Sequence, residues 1–242
     1  MVEKFLPVGR LDILRSSDPV LLLSGPPSSG KTSLLFQFAI NSAKESGEGN
    51  VVFICNRRKL ETKPPYLAKG IDPSSAIFER IQMKYIEDEE GIKKYFAAFH
   101  ILHNNPAPVS VIIDDFADFF NEGKCQERYN NTRGKDLAMV RVLALCKNAI
   151  MYANQKGPLP CQLLLSDTHY HGDSSRLLYI YKRWVSSIYT IKADGFGSYL
   201  IRSSSNNFAR AKTAKYSIAL QYLVLEGITE DEEQSGELGI LP

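Results

Sequence analysis

The chain has 242 residues, of which 44% are hydrophobic and 23% charged, with a formal net charge of +2. That length suits a single α/β domain with its own core, so folding needs no disulfide or metal staple. The near-neutral balance excludes a whole-molecule field that draws in polyanions, and any nucleic-acid contact must come from local clusters.

The first element predicted is an apolar strand over Val20–Ser24. A glycine-rich turn follows. Ser33–Lys44 then reads as a helix, with Leu34, Leu35, Phe38 and Ala39 on its apolar face, stopped by Gly47 and Gly49. Val51–Cys55 is a second apolar strand. The basic stretch Arg57–Pro73 contains three prolines and reads as loop. Ser74–Met83 and Glu89–His103 read as helices, and Val109–Ile113 is a third apolar run that ends in two aspartates. Asn121–Gly134 is polar and loop-like. Leu137–Asn154 is a long helical pattern, and Gln162–Leu165 is a fourth strand. Val185–Lys192, Gly197–Arg202 and Ser217–Leu225 read as later strands.

Four of these strands are continuous apolar runs, the mark of strands buried on both faces. With helices between them, they predict an α/β fold: a mostly parallel sheet with helices on both sides. Residues 1–225 form the expected domain. Residues 226–242 are acidic and poor in aromatics, and are expected to be disordered.

The four cysteines (Cys55, Cys125, Cys146 and Cys161) contain no C-x-x-C pair, so zinc-finger spacing is absent. Cys55 and Cys146 fall in apolar patterns and are expected to be small buried hydrophobes in a reducing compartment. No basic-then-apolar leader is present, and no apolar run approaches the ~18 residues of a membrane span.

Gly25-Pro26-Pro27-Ser28-Ser29-Gly30-Lys31-Thr32 satisfies G-x-x-x-x-G-K-[ST] at every fixed position. A match by chance arises on the order of once in a hundred chains of this length. Here it also sits between an apolar strand and an amphipathic helix, as its mechanism demands. The loop must turn its backbone N–H groups toward a phosphate, which Gly25 and Gly30 permit. The helix N-terminus, through Ser33, adds free N–H groups and a positive dipole end. Lys31 reaches the β- and γ-phosphates, and the Thr32 hydroxyl ligates Mg²⁺. The expected cofactors are ATP and Mg²⁺.

The run ending in Asp114 and Asp115 supplies the second half of the site. Asp114 would hold Mg²⁺ through a water opposite Thr32, and Asp115 could act as general base; either carboxylate could also merely end the strand. Asp114 lies 83 residues after Lys31, too far for its strand to follow the phosphate-loop helix directly. An extra strand is therefore expected between the two site strands. Ser166 and Thr168, at the end of the fourth strand, are candidates for contact with the γ-phosphate or the attacking water. His169 and His171 read as loop residues in preference to metal ligands.

These motifs, in this order and spacing, resemble the RecA family of P-loop ATPases. Ser33-Leu34-Leu35-Phe36, Val51-Val52-Phe53-Ile54 leading to Arg57-Arg58, Ile71-Asp72-Pro73 and Ile81-Gln82-Met83-Lys84-Tyr85 narrow the resemblance. It points to the SWIM-domain-associated recombinase paralogues of Shu-type complexes. The resemblance implies a nuclear role in homologous recombination, weak ATP hydrolysis, single-stranded DNA binding, support of a recombinase filament, and a SWIM zinc-finger partner together with recombinase paralogues. One departure stands out. Val51–Cys55 is followed by Asn56-Arg57-Arg58, with no glutamate where RecA proteins carry their catalytic base. Fast hydrolysis is not expected, and Asp115 is the obvious remaining base. About 19 residues precede the first strand, so no separate DNA-binding domain is expected there.

Single-strand binding needs cations along a groove and aromatics for stacking. Candidates are Arg128, Arg133 and Lys135 after the Asp114 strand, Tyr170 and Arg176 after the Ser166 strand, and Arg210 and Lys212 in the Arg202–Lys215 segment. Arg57, Arg58, Lys59 and Lys63 form a fourth cluster. Each alone is more often a solvated face. Two alternatives to a recombination ATPase stand beside it: a small-molecule or nucleotide kinase with an arginine-rich lid, and a non-hydrolysing ATP-binding scaffold subunit.

Overall fold

Apolar runs in the sequence become the central strands. In chain order the elements are β1 (Val20–Gly25), α1 (Lys31–Glu45), β2 (Val51–Cys55), α2 (Arg57–Thr62), β3 (Ile81–Tyr85), α3 (Glu89–Ala97), α4 (Phe99–Leu102), β4 (Ser110–Ile113), α5 (Thr132–Lys156), β5 (Gln162–Thr168), α6 (Ser174–Lys182), β6 (Ser187–Ala193), β7 (Ser198–Ser203), β8 (Lys212–Ala219) and β9 (Tyr222–Glu230). The structure is a computed structural model and describes residues 2–7, 18–103, 106–121, 128–129, 131–169, 174–203 and 212–230.

One sheet runs in the order β3-β2-β4-β5-β1-β6-β7-β8-β9. From β3 to β6 every pairing is parallel. From β6 to β9 the pairings are antiparallel. The mostly parallel α/β sheet expected from the sequence is therefore present, with an antiparallel extension on one side.

Successive strand residues point to opposite faces, and both faces are packed. Leu21, Leu23, Phe53, Ile112 and Leu164 meet Leu34, Leu35 and Phe38 of α1. Val20, Leu22, Ile113, Leu163 and Leu165 meet Met139, Val142 and Leu143 of α5 and Ile92 and Phe96 of α3. Each fully buried aliphatic or phenyl group contributes on the order of 2 kcal/mol. Cys55, Cys146 and Cys161 are buried thiols in these cores; Cys125 lies outside the described residues.

Between the Asp114 strand β4 and the phosphate-loop strand β1 lies one strand, as expected. That strand is β5. Val51–Cys55, which intervenes in sequence, pairs on the far side of β4.

Three local expectations are corrected. Ser74–Met83 is not a helix: a 3-10 turn over Ala76–Arg80 leads into β3. The segment Ile-Gln-Met-Lys-Tyr lies at the sheet edge, where only Ile81 is fully buried. Arg57–Pro73 is not all loop, because the Asn56 side chain accepts the Lys59 N–H and caps α2. Ser217–Leu225 is not one strand but the turn of a hairpin, with Leu220 and Gln221 in the left-handed region between β8 and β9. Since β9 reaches Glu230, the folded chain also continues past residue 225.

Candidate functional site

At the C-terminal end of β1 the chain turns through Gly25–Gly30 into α1. Gly30 stands at the helix N-cap with φ +76°, and no side chain caps the first turn. The first N–H groups of α1 are thus left for an anion. Glycine is required at two points. A Cβ on Gly25 would lie 2.8 Å from the Ile191 Cβ, and one on Gly30 would lie 2.5 Å from the Ile218 Cδ1.

Side chains hold this loop from several directions. The Ser29 hydroxyl donates to the Pro26 carbonyl at 2.8 Å. The Tyr216 hydroxyl donates to the Ser29 carbonyl at 2.7 Å, and the Tyr199 hydroxyl to the Ser28 carbonyl at 3.2 Å. The two tyrosine rings stack with centroids 5.5 Å apart. Ser33 is buried and accepts the Tyr66 N–H at 2.9 Å. Pro27 and Ser28 are exposed at the loop tip, with Pro26 half-buried behind them.

Lys31 is 6% exposed. Its Nζ donates to the carbonyls of Gly25 at 3.3 Å and Pro26 at 3.0 Å. Burial pushes its pKa down, against the pull of Asp115 and Asp114. A phosphate would restore the opposing charge that two carbonyls supply only in part.

Across from α1, the Thr32 hydroxyl donates to the Asp114 carboxylate at 2.8 Å. The Ser166 hydroxyl donates to the other Asp114 oxygen at 2.8 Å and accepts the Asp115 N–H at 2.8 Å. Burial, and then the Asp115 charge, raise Asp114 to about 6. A cation between the hydroxyl and the carboxylate would reverse that shift. Hydroxyl and carboxylate oxygens suit a hard ion such as Mg²⁺, which takes few protein ligands and completes its shell with phosphate and water. Among the described residues there is no cluster of three His, Cys, Asp or Glu side chains that would cage a metal by itself.

Asp115 stands at φ 50°, a left-handed position that costs a non-glycine residue about 1 kcal/mol. Its carboxylate accepts the Thr168 hydroxyl at 2.9 Å. It lines both clefts that meet at this site, one of about 1230 Å³ over the phosphate loop and one of about 1010 Å³ toward α2.

Ser166, expected from the sequence to contact the γ-phosphate or the attacking water, sits beside the aspartate pair. It is fully buried and both of its bonds go to the aspartate pair, so it positions Asp114 and Asp115. Thr168 does the same for the Asp115 carboxylate. No glutamate on β2 faces the site: Glu61 pairs with Arg57 on the exposed face of α2 at 2.9 Å. Arg58, Lys59 and Lys63 line the second cleft, with Lys59 paired to Asp118 at 2.6 Å.

The cations proposed for DNA divide. Arg128 is bound at 2.9 Å to the buried Glu89, with Asp88 and Glu90 beside it. Lys212 pairs with Glu3 at 2.8 Å. Arg133 is exposed and Lys135 half-buried on the first turn of α5. Tyr170, Arg210 and the side chain of Arg176 lie outside the described residues.

The sequence does not reveal Tyr199 and Tyr216, because nothing in an aromatic of an antiparallel strand announces that it reaches a loop 187 residues away. Asp167, which is 7% exposed, is a further residue of the site that the motifs do not single out. Burial, and then the Asp115 charge, raise Asp167 to about 7. A carboxylate at the end of an otherwise apolar strand was the signal that could have found it.

No family model matches the chain. Among characterised proteins it is similar to ATPase SWSAP1 of Homo sapiens, with 32% identity over 107 residues, 44% of this chain and 44% of that protein. The chain resembles ATPase SWSAP1. The mouse protein of the same name is 30% identical over 109 residues, 44% of this chain and 37% of its own length. The matched stretch spans less than half of either relative. SWSAP1 carries the word ATPase in its name, which agrees with a site built from a phosphate loop, a threonine and a strand-end aspartate. No helix among the described residues is long and apolar enough to cross a membrane.

Proposed function

We propose that this chain binds ATP with Mg²⁺ through Gly25–Ser33 and Asp114 and hydrolyses it slowly, as a RecA-like ATPase of homologous recombination in the nucleus. The observation that carries the reading is the bond from Thr32 to Asp114, which brings the phosphate-loop hydroxyl and the strand-end carboxylate within 2.8 Å. In this reading Lys31 and the α1 N-terminus neutralise the polyphosphate. The Thr32 hydroxyl and Asp114 hold the cation, whose chemistry is charge neutralisation of the β- and γ-oxygens. Asp115, aligned by Thr168, takes a proton from the attacking water.

Resemblance to the recombinase paralogues extends the proposal to single-stranded DNA, a SWIM zinc-finger partner, recombinase paralogues and support of a recombinase filament. Arg133 and Lys135 are the described cations best placed for DNA, since Arg128 and Lys212 are already matched by carboxylates. Calorimetric titration with ATP and Mg²⁺, paired with phosphate release, tests the core of this reading. Saturable heat that is lost in Lys31→Ala supports it; no heat from any triphosphate with folded protein sinks it. Anisotropy with single-stranded DNA at low salt tests the DNA part.

The second reading, an ATP-dependent scaffold without turnover, is favoured by one observation. The end of β2 carries Asn56, spent on capping α2, where a recombinase places its base. ATP·Mg²⁺ that raises Tm with no phosphate released would select it.

A further inference from the structure

The phosphate site holds more negative charge than its loop cation matches. Burial lowers the Lys31 pKa, and Asp115, Asp114, Asp167 and Asp118 pull against it. All four carboxylates therefore stand within electrostatic reach of the Lys31 ammonium. A polyphosphate entering beside them needs positive charge beyond Lys31 and a bound cation.

Helix α2 carries such charge to the same place. Strand β2 runs beside β4, and the Asp114 N–H donates to the Ile54 carbonyl at 3.0 Å. Two residues on, the chain enters α2 beside the aspartate pair. The Asn56 side chain accepts the Lys59 N–H at 3.2 Å, which fixes the Lys59 backbone in the first turn. From there the Lys59 ammonium reaches across to the Asp118 carboxylate at 2.6 Å. Asp118 stands on a 3-10 turn over Phe116–Phe120, anchored by the buried rings of Phe116, Phe119 and Phe120. It lines both clefts, and Lys59 lines the second together with Thr32, Asp114 and Asp115. Arg57 is engaged elsewhere, paired with Glu61 and set over the Tyr85 ring.

The Lys59–Asp118 pair is a weak one. The two side chains are 48% and 41% exposed, and ion pairs so open to water hold loosely. A terminal phosphate offers an ammonium three acceptor oxygens and about two negative charges, against one on the carboxylate.

We propose that Lys59 exchanges Asp118 for the γ-phosphate when ATP·Mg²⁺ is bound, so that α2 supplies a second cation to the site and makes it prefer ATP to ADP. This rests on the proposed ATP binding and names the residue that reads the terminal phosphate. An ammonium at this end of β2 holds that phosphate but takes no proton, in keeping with slow hydrolysis.

The test measures, by calorimetry on the full chain with Mg²⁺, the affinities for ADP and for a non-hydrolysable ATP analogue. The wild type should favour the triphosphate. Lys59→Met should weaken the triphosphate about tenfold, in the range of one charge-assisted hydrogen bond, and leave ADP within about twofold. Lys59→Arg should keep most of the preference. Arg58→Met, which takes the same charge from the next residue of the same helix, should leave the ratio unchanged. Asp118→Asn, which frees the Lys59 ammonium, should raise the triphosphate affinity. Equal losses for both nucleotides in Lys59→Met, or an equal fall of the ratio in Arg58→Met, overturn the contact. A drop in triphosphate affinity in Asp118→Asn that matches Lys59→Met would show that the pair serves the fold, and overturns it too. No binding of either nucleotide to folded wild type overturns the ATP reading itself; binding of both, with Lys59→Met like wild type, overturns the Lys59 contact alone.

Discussion

Tyr216 of β8 and Ser29 of the phosphate loop stand 187 residues apart in sequence, joined by a 2.7 Å hydrogen bond from the phenol to the loop carbonyl. The antiparallel extension of the sheet is therefore part of the proposed nucleotide site. It fixes the back of the loop whose front faces the ligand. Tyr216→Phe leaves the Ser29 carbonyl buried without that donor, at a cost of about 1–3 kcal/mol. The expected result is a lower Tm and ATP binding weakened about fivefold, roughly 1 kcal/mol. Tyr199→Phe should do less, because its bond is longer, at 3.2 Å, and exposed. Equal ATP affinity in Tyr216→Phe and wild type, measured by calorimetry, would remove the buttressing role.

Lys31 gives a prediction with two opposite parts. Without nucleotide, its ammonium is buried against two carbonyls and its pKa is pushed down. Lys31→Ala removes an under-compensated charge, so the nucleotide-free protein should melt no lower than wild type. With ATP·Mg²⁺ at a hundred times Kd the wild type should gain about 2.7 kcal/mol, and the variant should gain none. Differential scanning fluorimetry with and without ATP·Mg²⁺ reads both parts. A variant that melts lower without nucleotide but retains the ATP shift would contradict each.

How much of the molecule is legible in its sequence depends on the range of the interactions. The phosphate loop, Asp114 and the parallel sheet are readable because their causes are local: fixed spacings, glycine positions and continuous apolar runs. An extra strand between the two site strands is expected because Val51–Cys55 intervenes in the chain, but β5, which follows β4 in sequence, takes that place, because strand order is set by packing between distant segments. Ile81–Tyr85 misleads because an edge strand, packed through Ile81 and partly through Met83, carries too few apolar residues to separate period 2 from period 3.6. Ser166 shows another limit of range. Its place at a strand end is where polar groups meet phosphate, but its hydroxyl is taken by Asp114 and by the Asp115 amide.

The aspartate pair separates binding from chemistry. Asp115→Asn keeps a side chain that can accept the Thr168 hydroxyl but cannot take a proton. Phosphate release should fall about a hundredfold, the lower range for a lost general base, with ATP affinity within about twofold of wild type. Ser166→Ala should act differently, loosening Asp114 and so weakening the Mg²⁺ dependence of ATP binding. A single-turnover phosphate assay across a Mg²⁺ titration distinguishes the two. Unchanged turnover in Asp115→Asn would leave the chain without a base and favour the scaffold reading.

Asp167 predicts an unusual pH dependence. In the folded chain burial raises its pKa from 3.8 to about 7, while in the unfolded chain it ionises near 3.8. Between those values the folded state holds the extra proton. A state that binds more protons loses ground as protons become scarce, so this group's contribution to stability falls as pH rises from about 4 to about 7. Above that range the cost is fully present and constant. A tenfold difference in proton affinity between the folded and unfolded chains corresponds to about 1.4 kcal/mol at most, and relaxation around the carboxyl reduces it. Asp114, raised to about 6, adds a slope of the same sign over a narrower window. Glu3 opposes them, since its pKa is lowered to about 2 and its contribution fades as pH falls. The clean measurement is therefore a difference between two proteins. Asp167→Asn is neutral at every pH, so it should match wild type near pH 4.5 and exceed it in urea midpoint at pH 8. Midpoints that run parallel across that range would mean that the Asp167 carboxyl ionises in the folded protein as it does in water.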